Sequence, residues 1–190
     1  MVLVGVQGML VGVAASGVLA LLVAWVLVRL LPPVSAWAWA LLVFAVLCIG
    51  VITLTPAYAV PEVIPADARP TRCSMDYGGP APEGFWVVAG NQRLLNVAIF
   101  VPAGFLLVLA LGRWRAAWVL APLGLLGLAA YSVAIEWVQF EVARIDRACD
   151  VTDMVDNTVG AALGFVVGLL ALLLVRPWRA PSVKERALRG

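Results

Sequence analysis

The sequence predicts an all-α fold, a polytopic membrane bundle of about five transmembrane helices. Hydrophobic residues make up 64% of the 190 residues and charged residues only 13%, and the mean hydropathy is +1.03. Soluble proteins average about 45–50% apolar and about 25% charged residues. The apolar residues also form five stretches that reach or approach the roughly 20 residues a helix needs to cross a bilayer. These stretches are residues 2–28, 34–55, 94–111, 116–138 and 155–175.

Two of these stretches need a separate justification. Residues 2–28 resemble a secretory signal, but no basic residue precedes them, and the run exceeds the about 7–15 residues of a signal's apolar region. We therefore interpret them as a retained span. The third stretch is short, and we expect it to gain length from residues 85–90. Since no repeat or second domain is indicated, the sequence predicts one transmembrane domain over 1–178, including an external loop over 56–93, and a basic cytoplasmic tail over 179–190.

The distribution of basic residues predicts the orientation. The connections 56–93 and 139–154 hold five of the thirteen basic residues and most carboxylates, so they form the acidic side. Because basic connections stay in the cytoplasm, we expect the N-terminus outside and the C-terminus inside the cell membrane. Six tryptophans near the predicted inner ends are typical of an aromatic belt. The other eight basic residues, on the predicted inner side, are Arg29, Arg113, Arg115, Arg176, Arg179, Lys184, Arg186 and Arg189.

The net charge of +2 conceals these two opposite faces, and it indicates no nucleic-acid partner. We interpret the basic tail as an anchor against anionic lipid rather than as a binding device. Nothing in the sequence indicates an oligomeric state.

Two of the three cysteines fall on the predicted external side. Cys73 lies in the connection 56–93 and Cys149 in the connection 139–154, whereas Cys48 lies inside the second span, where we expect a packing residue. Because external thiols can oxidise, a disulfide between Cys73 and Cys149 is a candidate. Such a bridge would tie the long loop to the charged stretch. The alternative is that both cysteines remain free.

Polar side chains and glycines recur at helical spacing in the third, fourth and fifth spans. Asn96 begins the third span, while Glu136 and Gln139 end the fourth span on one helical face. The fifth span carries polar residues at its outer end and glycines deeper, at steps of three or four. Small residues four apart let helices approach closely in lipid, so we expect this stripe to face protein. The stripe consists of Arg147, Asp150, Asp153, Asn157, Gly160, Gly164 and Gly168.

Three motifs occur in a fixed order along the chain. They are Asn96-x-x-x-Phe100-x-Pro102-x-Gly104, Glu136-x-x-Gln139 and Arg147-x-x-Asp150-x-x-Asp153-x-x-x-Asn157-x-x-Gly160. This ordered set resembles the VanZ-like membrane proteins, named for an accessory glycopeptide-resistance protein linked to teicoplanin. The resemblance is strongest over residues 50–175. It implies a small polytopic protein of the bacterial cell envelope that influences teicoplanin susceptibility.

The polar residues have a structural and a functional interpretation. In the structural one, Asp150 or Thr152 caps the fifth helix, the amides and Glu136 hydrogen-bond between helices, and Arg147 pairs with an aspartate. In the functional one, the same groups form a pocket at the outer leaflet. Arg147 would then bind phosphate. The carboxylates of Glu136, Asp150 and Asp153 would supply oxygen ligands for Mg²⁺ or Ca²⁺.

Three classes of function are compatible with this pocket. The first is a module that engages a membrane lipid or a lipid-linked cell-wall precursor, and the second is a carboxylate- or Mg²⁺-dependent enzyme acting on a phosphorylated lipid. The third, a small transporter, would need unwound helices in mid-membrane, for which Pro102 is the candidate, and we rank it last. The chain contains no histidine, which excludes histidine-containing triads and histidine-rich zinc sites.

The orientation can be tested with a reporter that is active only in the cytoplasm. We expect a fusion after Trp178 to give signal and a fusion within residues 60–85 to give none, because the basic connections set the topology. Equal signal from both fusions would contradict a five-span topology with the C-terminus inside.

Overall fold

Five α-helices form the protein in a computed structural model that describes residues 5–55, 72–77, 86–141 and 149–175, the side chains of 86–92 excepted. All five are long and apolar enough to cross a membrane. The described residues contain no strand, only an isolated bridge between Ser74 and Asp150. The predicted all-α, five-helix fold is confirmed. The helices are α1 (Gly5–Leu27), α2 (Pro33–Leu54), α3 (Trp86–Leu111), α4 (Ala117–Glu141) and α5 (Val151–Val175).

The helix boundaries follow local signals in the sequence. α2 begins with Pro33, whose fixed φ suits the first helical position. α3 begins at Trp86, so it gains the extra length expected from the residues before position 94. α5 begins four residues earlier than the apolar stretch predicts, because Asp150 caps it. The Asp150 Oδ1 accepts the backbone N–H of Thr152 at 2.8 Å, which satisfies a helix donor that has no partner within the helix.

The helices alternate in direction along the bundle. α1 runs antiparallel to α2, since Gly12 lies beside Val51 and Gly17 beside Phe44. We call the end at which α2 and α4 finish and α3 and α5 begin the polar end, and the opposite end the basic end. This alternation makes α3 and α5 parallel neighbours.

Glycines bring α3 and α5 together backbone to backbone. A Cβ atom at Gly160 would overlap the carbonyl oxygen of Val97, and one at Gly164 would overlap the carbonyl oxygen of Val101. From the other helix, a Cβ atom at Gly104 would overlap the carbonyl group of Ala161. Contact this close is available only to residues without a side chain. The glycine stripe of α5 therefore faces α3, with Gly160, Gly164 and Gly168 all buried.

The remaining helices enclose this pair on one side. Phe100 of α3 is fully buried, and its ring lies 6.3 Å from the ring of Tyr131 on α4. The Tyr131 hydroxyl donates to the carbonyl of Val46 on α2 at 2.9 Å, which joins α2 to α4. α1 packs along α2 and is the least buried span, with 17% of its apolar window buried.

Neither internal proline interrupts its helix. α3 remains helical through Pro102 and α4 through Pro122. Pro102 points outward from α3, where its ring does not disturb the contact with α5. The break at Pro102 that a transporter would require is therefore not observed.

The contact between α3 and α5 can be tested by adding a side chain at its centre. Gly164→Leu should force the two helices apart and lower the free energy of unfolding by about 3 kcal/mol or more. Gly127→Leu is the matched control, because no atom lies within 4 Å of the Cβ position there. Membrane abundance and melting temperature would be measured for both. Equal melting temperatures for the two variants would contradict the close approach.

Candidate functional site

The polar end of the α3–α5 contact carries two pairs of polar side chains. Arg93 and Asp156 form a two-point ion pair, in which Nε donates to Oδ2 at 2.8 Å and Nη2 donates to Oδ1 at 3.0 Å. The Asn96 Nδ2 donates to the Asp153 Oδ1 at 2.6 Å. Arg93 lies one turn before Val97 and Asn96 lies directly before it, while Asp156 and Asp153 lie one and two turns before Gly160. The close backbone approach therefore brings the four side chains within hydrogen-bond distance.

The ion pair has one buried and one exposed partner. The side chain of Asp156 is 6% exposed, whereas that of Arg93 is 45% exposed. A planar guanidinium that grips a carboxylate at two points is fixed in direction as well as in position. Asp156 therefore holds Arg93 in one orientation while leaving part of its guanidinium accessible.

Tyr77 provides a second contact for the Arg93 guanidinium. The Arg93 Nη2 donates to the Tyr77 hydroxyl at 2.7 Å, and the guanidinium carbon lies 5.0 Å from the centre of the Tyr77 ring. A cation at this distance from an aromatic face is attracted by the ring quadrupole. Tyr77 thus links the connection between α2 and α3 to the ion pair.

A disulfide positions the segment that carries Tyr77. Cys73 and Cys149, the candidate pair in the sequence, are bonded, with their Cα atoms 4.7 Å apart. Two backbone hydrogen bonds accompany the bridge. The N–H of Ser74 donates to the carbonyl of Cys149 at 2.9 Å, and the N–H of Val151 donates to the carbonyl of Ser74 at 3.0 Å. Residues 72–77 are therefore attached to the first turn of α5.

Two buried amides of the predicted pocket hydrogen-bond between helices. The Asn157 Nδ2 donates to the Ser132 Oγ on α4 at 3.0 Å, and the Gln139 Nε2 donates to the carbonyl of Thr53 on α2 at 2.8 Å. Both amides are at most 3% exposed. These contacts agree with the structural interpretation of the two residues, since a buried amide in a membrane needs partners.

Two carboxylates organise the start of α5. Glu136, which is 2% exposed, accepts the backbone N–H of Asp150 at 3.2 Å. Asp150 in turn caps the helix through Thr152. Glu136 therefore fixes the residue that caps the neighbouring helix, and Asp150 behaves as the capping interpretation predicts.

The predicted cation ligands are not gathered into one site. Among the residues that the structure describes, no group of three or more histidine, cysteine, aspartate or glutamate side chains could hold a metal ion. Glu136 and Asp150 are joined through a backbone N–H, whereas Asp153 turns to Asn96 on α3. The three carboxylates therefore serve different local contacts.

Sequence reasoning missed part of the site. It did not single out Arg93, Tyr77, Ser132 or Asp156, and its own arginine candidate, Arg147, lies outside the described residues. The helical spacing that selected the other residues could have found two of these. Arg93 lies three residues before Asn96, and Asp156 lies three residues after Asp153, so each shares a helical face with a predicted residue. Tyr77 carried no such signal, because it is placed by the disulfide.

Comparison with known proteins assigns the chain to a family. Residues 17–174 match the sequence family described as VanZ/LLP1. The chain belongs to the VanZ/LLP1 family. The matched range begins within α1 and contains the polar end, including the disulfide, so the resemblance drawn from the motifs is confirmed. No curated protein and no solved structure matches this VanZ-family chain significantly.

Removing the disulfide should destabilise the protein. The bridge closes a loop with a sequence separation of 76 residues, and we expect the double variant Cys73→Ser/Cys149→Ser to lose about 2–4 kcal/mol of unfolding free energy. Cys48→Ser is the control, because Cys48 is a free cysteine. A thiol-alkylating mass tag, applied without reductant, should modify wild type at Cys48 or nowhere. Labelling of Cys73 would show that the bridge is absent.

Proposed function

We propose that this VanZ-family protein lies in the bacterial cell membrane with its polar end at the outer leaflet. There it engages the headgroup of a lipid or a lipid-linked cell-wall precursor and so influences susceptibility to glycopeptides such as teicoplanin. The observation that carries the proposal is Arg93, a half-exposed guanidinium braced by a buried carboxylate. Arg93 also directly precedes the apolar stretch 94–111, so in the proposed orientation it lies at the depth expected for lipid headgroups.

The guanidinium of Arg93 has donors to spare. A guanidinium carries five N–H donors, of which Nε and Nη2 are used for Asp156 and Tyr77. No described residue accepts a hydrogen bond from its Nη1. Phosphate oxygens are the acceptors that suit this planar fork best. Arg93 can therefore keep its internal partners and still bind a phosphate.

The bracing of Arg93 favours binding in a second way. An arginine side chain that is free in solvent loses conformational entropy when it binds a ligand, because several rotatable bonds become fixed. Asp156 and Tyr77 have already restricted the Arg93 side chain. A phosphate would thus meet a preorganised group and would order little else on binding.

The negative charge of the carboxylates around Arg93 favours a headgroup that carries a cationic group as well as a phosphate. The carboxylates near Arg93 accept hydrogen bonds within the protein, yet their charge repels a purely anionic ligand. A phosphate linked to an amine, as in phosphatidylethanolamine, matches both the arginine and its acidic surroundings. Among the described residues, the charged side chains of the polar end are Arg72, Asp76, Arg93, Glu136, Glu141, Asp150, Asp153 and Asp156.

The alternative functions have no observation of their own in their favour. A carboxylate- or Mg²⁺-dependent enzyme acting on a phosphorylated lipid would draw on the same residues, but Asp150, Asp153 and Glu136 each serve separate internal contacts. A small transporter would need a broken helix, and the described part of α3 is continuous. Lipid engagement accounts for the exposed Arg93 and requires neither a cluster of carboxylates nor a broken helix.

The proposal can be tested by replacing the planar guanidinium of Arg93 while keeping its positive charge. In Arg93→Lys the ammonium cannot grip Asp156 and a phosphate together, and we expect phosphatidylethanolamine to bind about tenfold more weakly to purified protein in detergent. Asp156→Asn should have a similar effect, because it removes the brace. Arg29→Lys, at the basic end, is the matched control and should bind as wild type does. Teicoplanin susceptibility of cells carrying each variant gives the physiological readout.

Stability measurements distinguish a site from a structural contact. If Arg93→Lys melts near the wild-type temperature and still binds the lipid fully, headgroup engagement is excluded. If binding and phenotype fall only in proportion to the folded protein, the ion pair is structural and the proposal fails.

A further inference from the structure

An open apolar groove lies at the basic end, far from the residues of the polar end. Its volume is about 520 Å³, within the range of about 300–1,000 Å³ that is typical of ligand sites. The end of α3, the connection after it and the first turns of α4 form one wall, and α2 forms the other. The residues that matter here are Trp39, Leu107, Leu111, Trp114, Ala116 and Leu120. These residues line the groove with apolar surface, which suits a hydrocarbon chain.

Two tryptophans stand beside each other in the groove. The rings of Trp39 and Trp114 lie 6.4 Å apart at an interplanar angle of 65°, an edge-to-face contact. Trp39 belongs to the second turn of α2, and Trp114 to the connection between α3 and α4. Tryptophan prefers the boundary between hydrocarbon and headgroups. The groove therefore opens at the depth where an acyl chain meets its headgroup.

Two arginines lie next to Trp114 in the sequence, and neither has a carboxylate partner among the described residues. Arg113 and Arg115 flank Trp114 in the sequence, and no described residue at the basic end is an aspartate or a glutamate. Glu185, the first carboxylate that follows α5 in the sequence, lies outside the described residues. The Arg113 Nη1 is shielded from solvent and has no hydrogen-bond partner among the described residues. Such a cation needs an anion, and this end of the described bundle supplies none.

We propose that the groove binds an anionic phospholipid of the leaflet at the basic end. One acyl chain lies against Leu107 and Leu111, beside the paired tryptophans. The phosphate lies at the mouth, where Arg113 and Arg115 face it. The long side chain of Arg113 reaches the phosphate by turning from its shielded position toward the surface, as arginines near a membrane boundary do. This site is separate from the proposed headgroup site at Arg93, and it prefers an anionic rather than a zwitterionic headgroup.

The inference can be tested by titrating two lipids into delipidated protein in detergent. Phosphatidylglycerol and phosphatidylcholine with the same acyl chains are the probes, and bound lipid is counted by native mass spectrometry. We expect wild type to prefer phosphatidylglycerol by about fivefold, which corresponds to about 1 kcal/mol for an arginine beside an anionic lipid. Arg113→Gln should bring this preference to within about twofold.

Two further variants separate the headgroup from the chain. Ala116→Trp fills the groove at an exposed position and should weaken the binding of both lipids without changing their ratio. Arg29→Gln is the control for charge alone, because Arg29 stacks on Trp25 at 3.6 Å, away from the groove. It should keep the wild-type preference. Melting temperatures confirm that each variant is folded.

Several outcomes would overturn the inference. Equal binding of the two lipids by wild type would show that only unspecific lipid contacts this face. An unchanged preference in folded Arg113→Gln, or a preference that Glu185→Gln raises sharply, would show that Arg113 has its anion inside the chain. A dimer that forms without phosphatidylglycerol and is disrupted by Ala116→Trp would assign the groove to a second copy. Since Arg93→Lys is not expected to alter the preference for phosphatidylglycerol, the two lipid sites can fail independently.

Discussion

The rest of the structure depends on the backbone contact between α3 and α5. Lipid provides little hydrophobic driving force between helices, so association rests on close packing and on polar contacts. Gly104, Gly160 and Gly164 supply the packing, because their missing side chains let carbonyl oxygens of the partner helix occupy the space. Once the helices are this close, Arg93 can grip Asp156 across the gap. The polar pairs at one end are therefore a geometric consequence of the glycines below them.

The other helices add constraints to this pair rather than a second core. α4 contacts α5 through Ser132, which accepts a hydrogen bond from the buried amide of Asn157. Glu136 of α4 also orders the start of α5 by accepting the backbone N–H of Asp150. α2 joins α4 through the hydroxyl of Tyr131 and the amide of Gln139. Each of these contacts satisfies a polar group that would otherwise be stranded in hydrocarbon. Polar side chains in this bundle thus specify which helices are neighbours, and most of them have no exposure left for a ligand. Among the described polar side chains near α5, Asn96 and Asp153 are partly exposed and Arg93 is more exposed than either.

The fold could be predicted from the sequence almost completely, whereas the site could be predicted only in part. Apolar runs of membrane-spanning length leave few choices, and steps of three or four residues showed that Asp153 and Asn157 share a face with the glycines. The same steps could not say which partner each side chain meets on another helix. Asn157 meets Ser132, a residue with no motif of its own. α5 begins four residues before its apolar stretch because Asp150, one of the two candidate caps in the sequence, extends the helix beyond its apolar part. Tyr77 depends on a bond between residues 76 positions apart, which no local pattern encodes.

The disulfide gives the protein an order of assembly. The helices can pack as soon as they are in the bilayer, but the covalent attachment of the segment that carries Tyr77 forms only when Cys73 and Cys149 are oxidised. In the proposed orientation this oxidation takes place after the loop has crossed the membrane, where thiols are no longer kept reduced. Before oxidation, the segment that carries Tyr77 would be attached to α5 by backbone hydrogen bonds alone. The maturation of the proposed headgroup site would depend on the oxidising capacity of the envelope, separately from the insertion machinery that builds the bundle.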